Sequence, residues 1–435
     1  MPDAPHSANL PPLRPVSTGR SRVLRPGRPQ WRDPVSEHCV NDFLIVGGGV
    51  IGMLTACQLA EAGHGVTLLE RGRCGQEASW AGGGIVSPLY PWRYSEPVSQ
   101  LARGAGERYA EMAAQLREAT GVDIEYRQKG LLYLSVDDAE RARDWAQRQG
   151  WPLERVDADF IYRQEPWLVE GLGEGLWMPS LGSVRNPRLC RALRARLEML
   201  PNARVVEEAD VERLIVERGR VLGAVAGQQR IAAGRVILCS GAWSGVLLAD
   251  HDVALPVRPV KGQMMLFATP PMPGGRQLLE RVVLADGRYL IPRGDGRVLV
   301  GSTLEQTDFD KSTTEEARES LWHSAVAMLP ALAECRVEHH WAGLRPAAPD
   351  GIPFIGAVPG IEGLFVNAGH YRNGLVLAPA ATRLLVDLLL GREPAIDPAP
   401  YRPARRSGRP GSAALGGLDR RQRDGVDDVV DQGAT

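Results

Sequence analysis

Three glycines at the spacing Gly47-x-Gly49-x-x-Gly52 follow the apolar run Phe43-Leu44-Ile45-Val46, and Glu70 comes 18 residues after Gly52. Together they describe a site for a dinucleotide. Gly47 would make a tight turn, Gly49 would let phosphates approach the backbone N–H groups of a helix N-terminus, including those of Val50 and Ile51, and Gly52 would let that helix pack on the strand. Glu70 closes a second short apolar run, Val66-Thr67-Leu68-Leu69. An acid there reaches a ribose hydroxyl pair and argues against a 2′-phosphate, whereas Arg71 beside it favours one. A glycine-rich turn without a ligand shares this pattern, and 49 glycines in 435 residues make chance matches common. The strand, the helix and the acid in sequence favour the nucleotide.

Other residues suit a small anionic substrate. Arg345, in Trp341-Ala342-Gly343-Leu344-Arg345-Pro346, carries a planar fork that matches a carboxylate. Taken alone, an Arg beside Pro near a strand end reads more readily as a surface or structural ion pair. Tyr289 reads as a half-buried strand aromatic, and His370 as a loop histidine in Asn367-Ala368-Gly369-His370-Tyr371-Arg372-Asn373-Gly374. That loop runs into an apolar helix whose positive N-terminal end would favour negative charge on a bound ring. Pro379 suits that helix only in its first turn. The small-residue loop from Ala78 and Ser79 through Gly82-Gly83-Gly84 to Ile85 suggests backbone pressed against something flat or charged.

The elements that must position these residues follow from periodicity. A helix is expected over 53–62 and a longer one from Ser95, as N-cap, to a stop at Gly121. Strand-like stretches fall at 124–126 and 131–136, a charged helix at 138–149, and another helix at 188–200. Residues 205–206, 211–217 and 221–225 read as an antiparallel excursion. The run Arg235-Val236-Ile237-Leu238-Cys239-Ser240-Gly241-Ala242 reads as a strand returning to the carboxyl edge of the first sheet. Short strands at 256–259, 263–268, 282–284, 289–292 and 298–301 suggest an antiparallel sheet, followed by a helix at 313–329.

The length of 435 residues calls for two domains. A formal charge of −1 offers no general field for nucleic acid or anionic membrane. The six cysteines show neither C-x-x-C nor zinc-ligand spacing, so no metal is expected, and reduced thiols point to a cytoplasmic protein. No apolar run is long enough for an integral membrane segment. Homo-oligomerisation is compatible with all of this.

With these motifs the chain resembles the D-amino acid oxidase superfamily of FAD-dependent amine oxidases and, within it, the glycine oxidase family of thiamine biosynthesis. The resemblance runs from Asp42 to Tyr401. It implies an α/β fold: a Rossmann-like FAD-binding domain from 42–86, 184–250 and 341–395, and a discontinuous α+β substrate domain on an antiparallel sheet from 87–183 and 251–340. Disordered extensions are expected at 1–41 and 402–435. The resemblance places FAD against Val50, Ile51, Glu70, Arg71, Ala78, Ser79, Gly83, Gly84, Ile85, Val211 and the loop His370-Tyr371-Arg372-Asn373-Gly374-Leu375-Val376, and places a substrate carboxylate at Arg345 with Arg372 and the Tyr289 hydroxyl beside it. Leu304 and Gly287 stand where related enzymes carry other side chains near the pocket. The flavin is expected to be non-covalent, no cysteine lying in the covalent-attachment motif. The activity implied is oxidation of glycine, another small amine or a D-amino acid by O2, with no obligatory protein base. The alternatives are a dehydrogenase of D-amino acids that reduces a quinone, and a tRNA-modifying flavoprotein.

Overall fold

Phe43–Val46 forms a strand buried over its whole length, between the parallel strands Val66–Leu69 and Val236–Leu238. A strand paired on both edges and covered on both faces must be apolar throughout, hence its lack of alternation. The structure is a computed structural model that describes residues 42–404. The expected N-terminal extension and the tail from 405 onward lie outside the described residues.

Six strands make this first sheet. Ala203–Val206 lies parallel at one edge, Leu364–Ala368 continues the parallel run at the other, and Phe354–Ala357 closes that edge antiparallel. Residues 205–206 therefore belong to the parallel sheet, and the antiparallel excursion begins only with Val211–Glu217, Arg220–Ala226 and Gln229–Ala232. Helices Val50–Glu61, Asn186–Met199 and Gly374–Leu389 share the core on one face of the first sheet.

The second sheet is antiparallel apart from one parallel pairing, Val282–Ala285 with Leu131–Tyr133. The two strands expected at 256–259 and 263–268 are one, Arg258–Ala268, paired along its length with Arg336–Ala347. Gly262 and Gly343 face each other within that ladder, and both leave room for a neighbour. A Cβ on Gly262 would lie 2.1 Å from the Arg345 guanidinium, and one on Gly343 would lie 2.5 Å from Ala81 Cβ. The boundary drawn at 341 from sequence thus falls inside a strand of the second sheet.

The single helix expected from 95 to 121 is two, Glu96–Ala102 and Ala105–Thr120, separated where Gly104 turns left-handed at φ 65°. Ser95 holds the N-cap position without a side-chain bond, and Gly121 ends the second helix. Residues 124–126 form no strand; the ribbon is Arg127–Gln128 with Gly182–Ser183.

Pro379 lies inside Gly374–Leu389, beyond the first turn. Its ring nitrogen cannot donate to the carbonyl of Leu375, four residues earlier. The hydroxyl of the buried Tyr109 donates to that oxygen instead, at 2.8 Å. One aromatic residue from another helix therefore makes this proline tolerable. Tyr109→Phe should leave the carbonyl unsatisfied and lower unfolding stability by about 1–3 kcal/mol, seen in urea denaturation as a lower midpoint with an unchanged slope; an unchanged midpoint would refute this compensation.

Candidate functional site

At the carboxyl edge of the first sheet, Gly47 adopts φ 109° with its Cα against the carbonyl of Cys239; a Cβ there would sit 2.5 Å from that oxygen. Gly52 packs so closely beneath the turn that its Cβ would fall 1.9 Å from Gly47 O. The helix N-terminus begins immediately after Gly49, where the first-turn N–H groups have no intrahelical acceptor. Val50 N donates to Ser79 Oγ at 2.9 Å, which places the Ala78–Ala81 helix beside the phosphate-type site. Glu70 is held by Gly48 N at 2.7 Å and Gly72 N at 2.9 Å, with carboxylate lone pairs left for a further donor.

This edge opens into a cavity of about 440 Å³ that continues to the second sheet. Its wall includes Gly47, Gly49, Val50, Ile51, Glu70, Arg71, Ala78, Ser79, Gly83, Gly84, Ile85, Val211, Tyr289, Arg345 and every residue from His370 to Val376. Of the residues assigned from sequence to the cofactor or the substrate, Gly52 is off the wall, because it supports the turn from behind. Leu304 and Gly287 are not on it either.

Two segments of the second sheet fix Arg345, the strand Arg258–Ala268 and the stretch after Val298–Gly301. Its Nη1 donates to Lys261 O at 3.1 Å and Thr303 O at 3.2 Å, and its Nη2 to Ser302 Oγ at 2.7 Å. Nε–H and one of the two Nη2 hydrogens take no part in these bonds. Burial foremost, then the positive charge of Arg372, depresses the pKa of this guanidinium. Two cations on one wall favour negative charge in the cavity. The Tyr289 hydroxyl donates to Met264 Sδ at 3.4 Å, not toward an acceptor at Arg345, and its ring is wedged where Cβ atoms on Gly83 and Gly301 would collide with it.

His370 is buried, with Nε2 2.9 Å from Asn367 Oδ1, while its Nδ1 has no partner. Burial pushes its pKa down to about 3, so the ring is neutral. Near the glycine-rich end, Arg71 lies 4.1 Å over the Trp243 ring and pairs with Glu77 at 3.1 Å. Phe309 stacks on the same tryptophan and Lys311 reaches Glu77 at 3.0 Å, so the segment after the second-sheet strand Val298–Gly301 is fastened across to the first sheet.

The family model described as FAD dependent oxidoreductase matches residues 42–388. The chain belongs to that family. It is 51% identical over 363 residues to the glycine oxidase of Pseudomonas aeruginosa, covering 83% of this chain and 98% of the relative. It is 34% identical to the bifunctional protein ThiO/ThiG of a Synechocystis species, over 81% of this chain and 52% of that one. The crystal structure of glycine oxidase from Geobacillus kaustophilus superposes with a TM-score of 0.79 at 32% identity, covering 84% of this chain and 99% of that one.

As an FAD dependent oxidoreductase the chain takes FAD as its cofactor, and its cavity has the features such a molecule needs. The Gly47 turn leaves a cradle that side chains would fill. Glu70 stands where a ribose would be met. Two buried polar atoms on the wall, His370 Nδ1 and Asn373 Nδ2, lack partners and could bond a polar ring edge. Tyr371, at φ 51°, presents the loop to the cavity in a left-handed conformation.

Several wall residues were not singled out from sequence. Ser240, Gly241 and Ala242 were expected at the sheet edge without being assigned contacts, and Trp243 follows them. Met264, Gly262 and Ser302 join the wall only through strand register, for which the local sequence carries no signal.

The neutral state of His370 has a measurable consequence. Its folded pKa lies below the unfolded value near 6.5, so its contribution is complete above about pH 6.5 and is lost as pH falls toward 3. The stability difference between wild type and His370→Gln should therefore shift against the wild type by roughly 1–2 kcal/mol between pH 6.5 and 5. A pH-independent difference would show that His370 is not held neutral.

Proposed function

We propose that this chain oxidises glycine, or a comparably small amine or D-amino acid, to the imine, which water converts to the oxo acid and ammonia. The observation that carries this reading is that one cavity joins the dinucleotide turn with Glu70 to the Arg345 and Arg372 wall. FAD held in this cavity would supply the two-electron redox chemistry, with O2 as the final acceptor and H2O2 as its product.

The chain's own groups do the rest. Arg345 offers its free N–H donors to the substrate carboxylate, Arg372 adds a second positive charge, and Tyr289 can turn its hydroxyl from the weak thioether acceptor of Met264 to a carboxylate oxygen. Neutral His370 would bond the ring edge through its unpartnered Nδ1, and it is not needed to take a proton from the α-carbon. The amine needs only its neutral nitrogen lone pair. Cys239 lines the cavity, but burial pushes its thiol pKa up to about 12, and a thiol held protonated suits a non-covalent flavin. Relatives of the ThiO/ThiG kind support a role in supplying thiamine thiazole synthesis. Free buried thiols at Cys57, Cys190 and Cys239 suit a cytoplasmic setting, and no helix among the described residues is long and apolar enough to cross a membrane.

Glycine added without air should bleach the flavin of the purified protein, and readmitted air should restore it with one peroxide per turnover. Restoration by a quinone alone would assign a dehydrogenase. Arg345→Ala should raise KM for glycine by at least tenfold while retaining bound flavin, since a charge-assisted bond contributes about 1.5–3 kcal/mol; unchanged glycine kinetics would remove Arg345 from this role.

A further inference from the structure

We propose that a second cavity, of about 170 Å³ and separate from the flavin cavity, binds a phosphate-sized multivalent oxyanion, either the free ion or the phosphoryl group of a small metabolite. Its wall brings together Arg127, Lys129, Arg276 and Arg293 against a single carboxylate, Glu280. Only Arg276 is paired with that acid, loosely, at 3.5 Å. Arg127 and Lys129 enter no ion pair among the described residues.

Arg293 borders the cavity from the buried side. It is 8% exposed, and its Nη1 and Nη2 donate to the carbonyls of Val184 at 3.1 Å and Gly83 at 2.9 Å. Neutral carbonyls satisfy its donors without balancing its charge. The nearby acids are committed elsewhere: Glu125 to Arg185 and Arg188, and Asp295 to Arg185 and Arg297. Burial first, and the charge of Arg185 second, hold the Arg293 pKa down to about 10 in spite of the weaker opposing influence of Glu125 and Asp295. A dianion in the cavity, held by the exposed Arg127, Lys129 and Arg276, adds negative charge beside that guanidinium. The volume admits phosphate or a short ester and falls below the range that a nucleotide needs. Because Arg293 also grips Gly83, occupancy would stiffen the glycine loop on the flavin wall.

Calorimetric titration of FAD-saturated protein with inorganic phosphate, and separately with glycerol 3-phosphate, tests this against chloride at equal ionic strength. A single saturable site is expected, with the tighter of the two ligands identifying the source. Arg127→Ala/Lys129→Ala should weaken it at least tenfold with flavin content unchanged, while Arg230→Ala, an exposed arginine on another sheet, should bind as the wild type does. The proposal is overturned by heats that track ionic strength alone or by equal affinity in the double variant.

Discussion

The arrangement depends on how the Arg345 guanidinium is held. Three acceptors, Lys261 O, Thr303 O and Ser302 Oγ, take three of its five donors; the first is on the strand beside its own and the other two follow the strand beyond that, reached across Gly262. A buried cation is costly unless its hydrogen bonds are made, and these bonds make it tolerable without a carboxylate directly on it. The charge is left for something that enters the cavity. Gly262 is required because any side chain there would occupy the guanidinium's position. The neighbouring Lys261 points its own charge elsewhere, to Glu305 at 3.2 Å and Asp310 at 3.1 Å, so it does not compete for an anion at Arg345.

The two sheets meet through the short segment 78–85. Ser79 caps the first helix, Trp341 Nε1 donates to Ala81 O at 3.1 Å, the ring of Tyr289 presses on Gly83, and Arg293 bonds the Gly83 carbonyl. Small residues are needed because strands and rings of the second sheet approach this backbone to contact distance. The same approach brings the wall with Arg345 and Arg372 into one cavity with the Gly47 turn. The function follows from that join, since neither sheet alone has both halves of the chemistry.

Local sequence was informative where the cause of the structure is local. The strand, the Gly47 turn, the helix behind it and Glu70 could be read together because each is specified within a few residues and their spacing is rigid. The loop from His370 to Val376 was legible for the same reason, as a motif leading into a helix. What escaped was decided by partners distant in sequence. Arg258–Ala268 is one strand because Arg336–Ala347 runs beside it, so Lys261-Gly262, which reads as a break, is a close approach. Pro379 was expected to need the first turn, but Tyr109, from a helix far earlier in the chain, supplies the missing donor. The kink at Gly104 left the apolar spacing of both flanking helices intact and so did not show in periodicity.

The central claim is that Arg345 binds a carboxylate beside the flavin. Its most direct test uses a ligand that has the carboxylate of glycine and nothing to oxidise. Acetate titrated into the oxidised protein should perturb the visible flavin spectrum saturably, and Arg345→Ala should abolish that change while Arg345→Lys restores only part of it. The same perturbation at the same concentrations in Arg345→Ala would contradict the account.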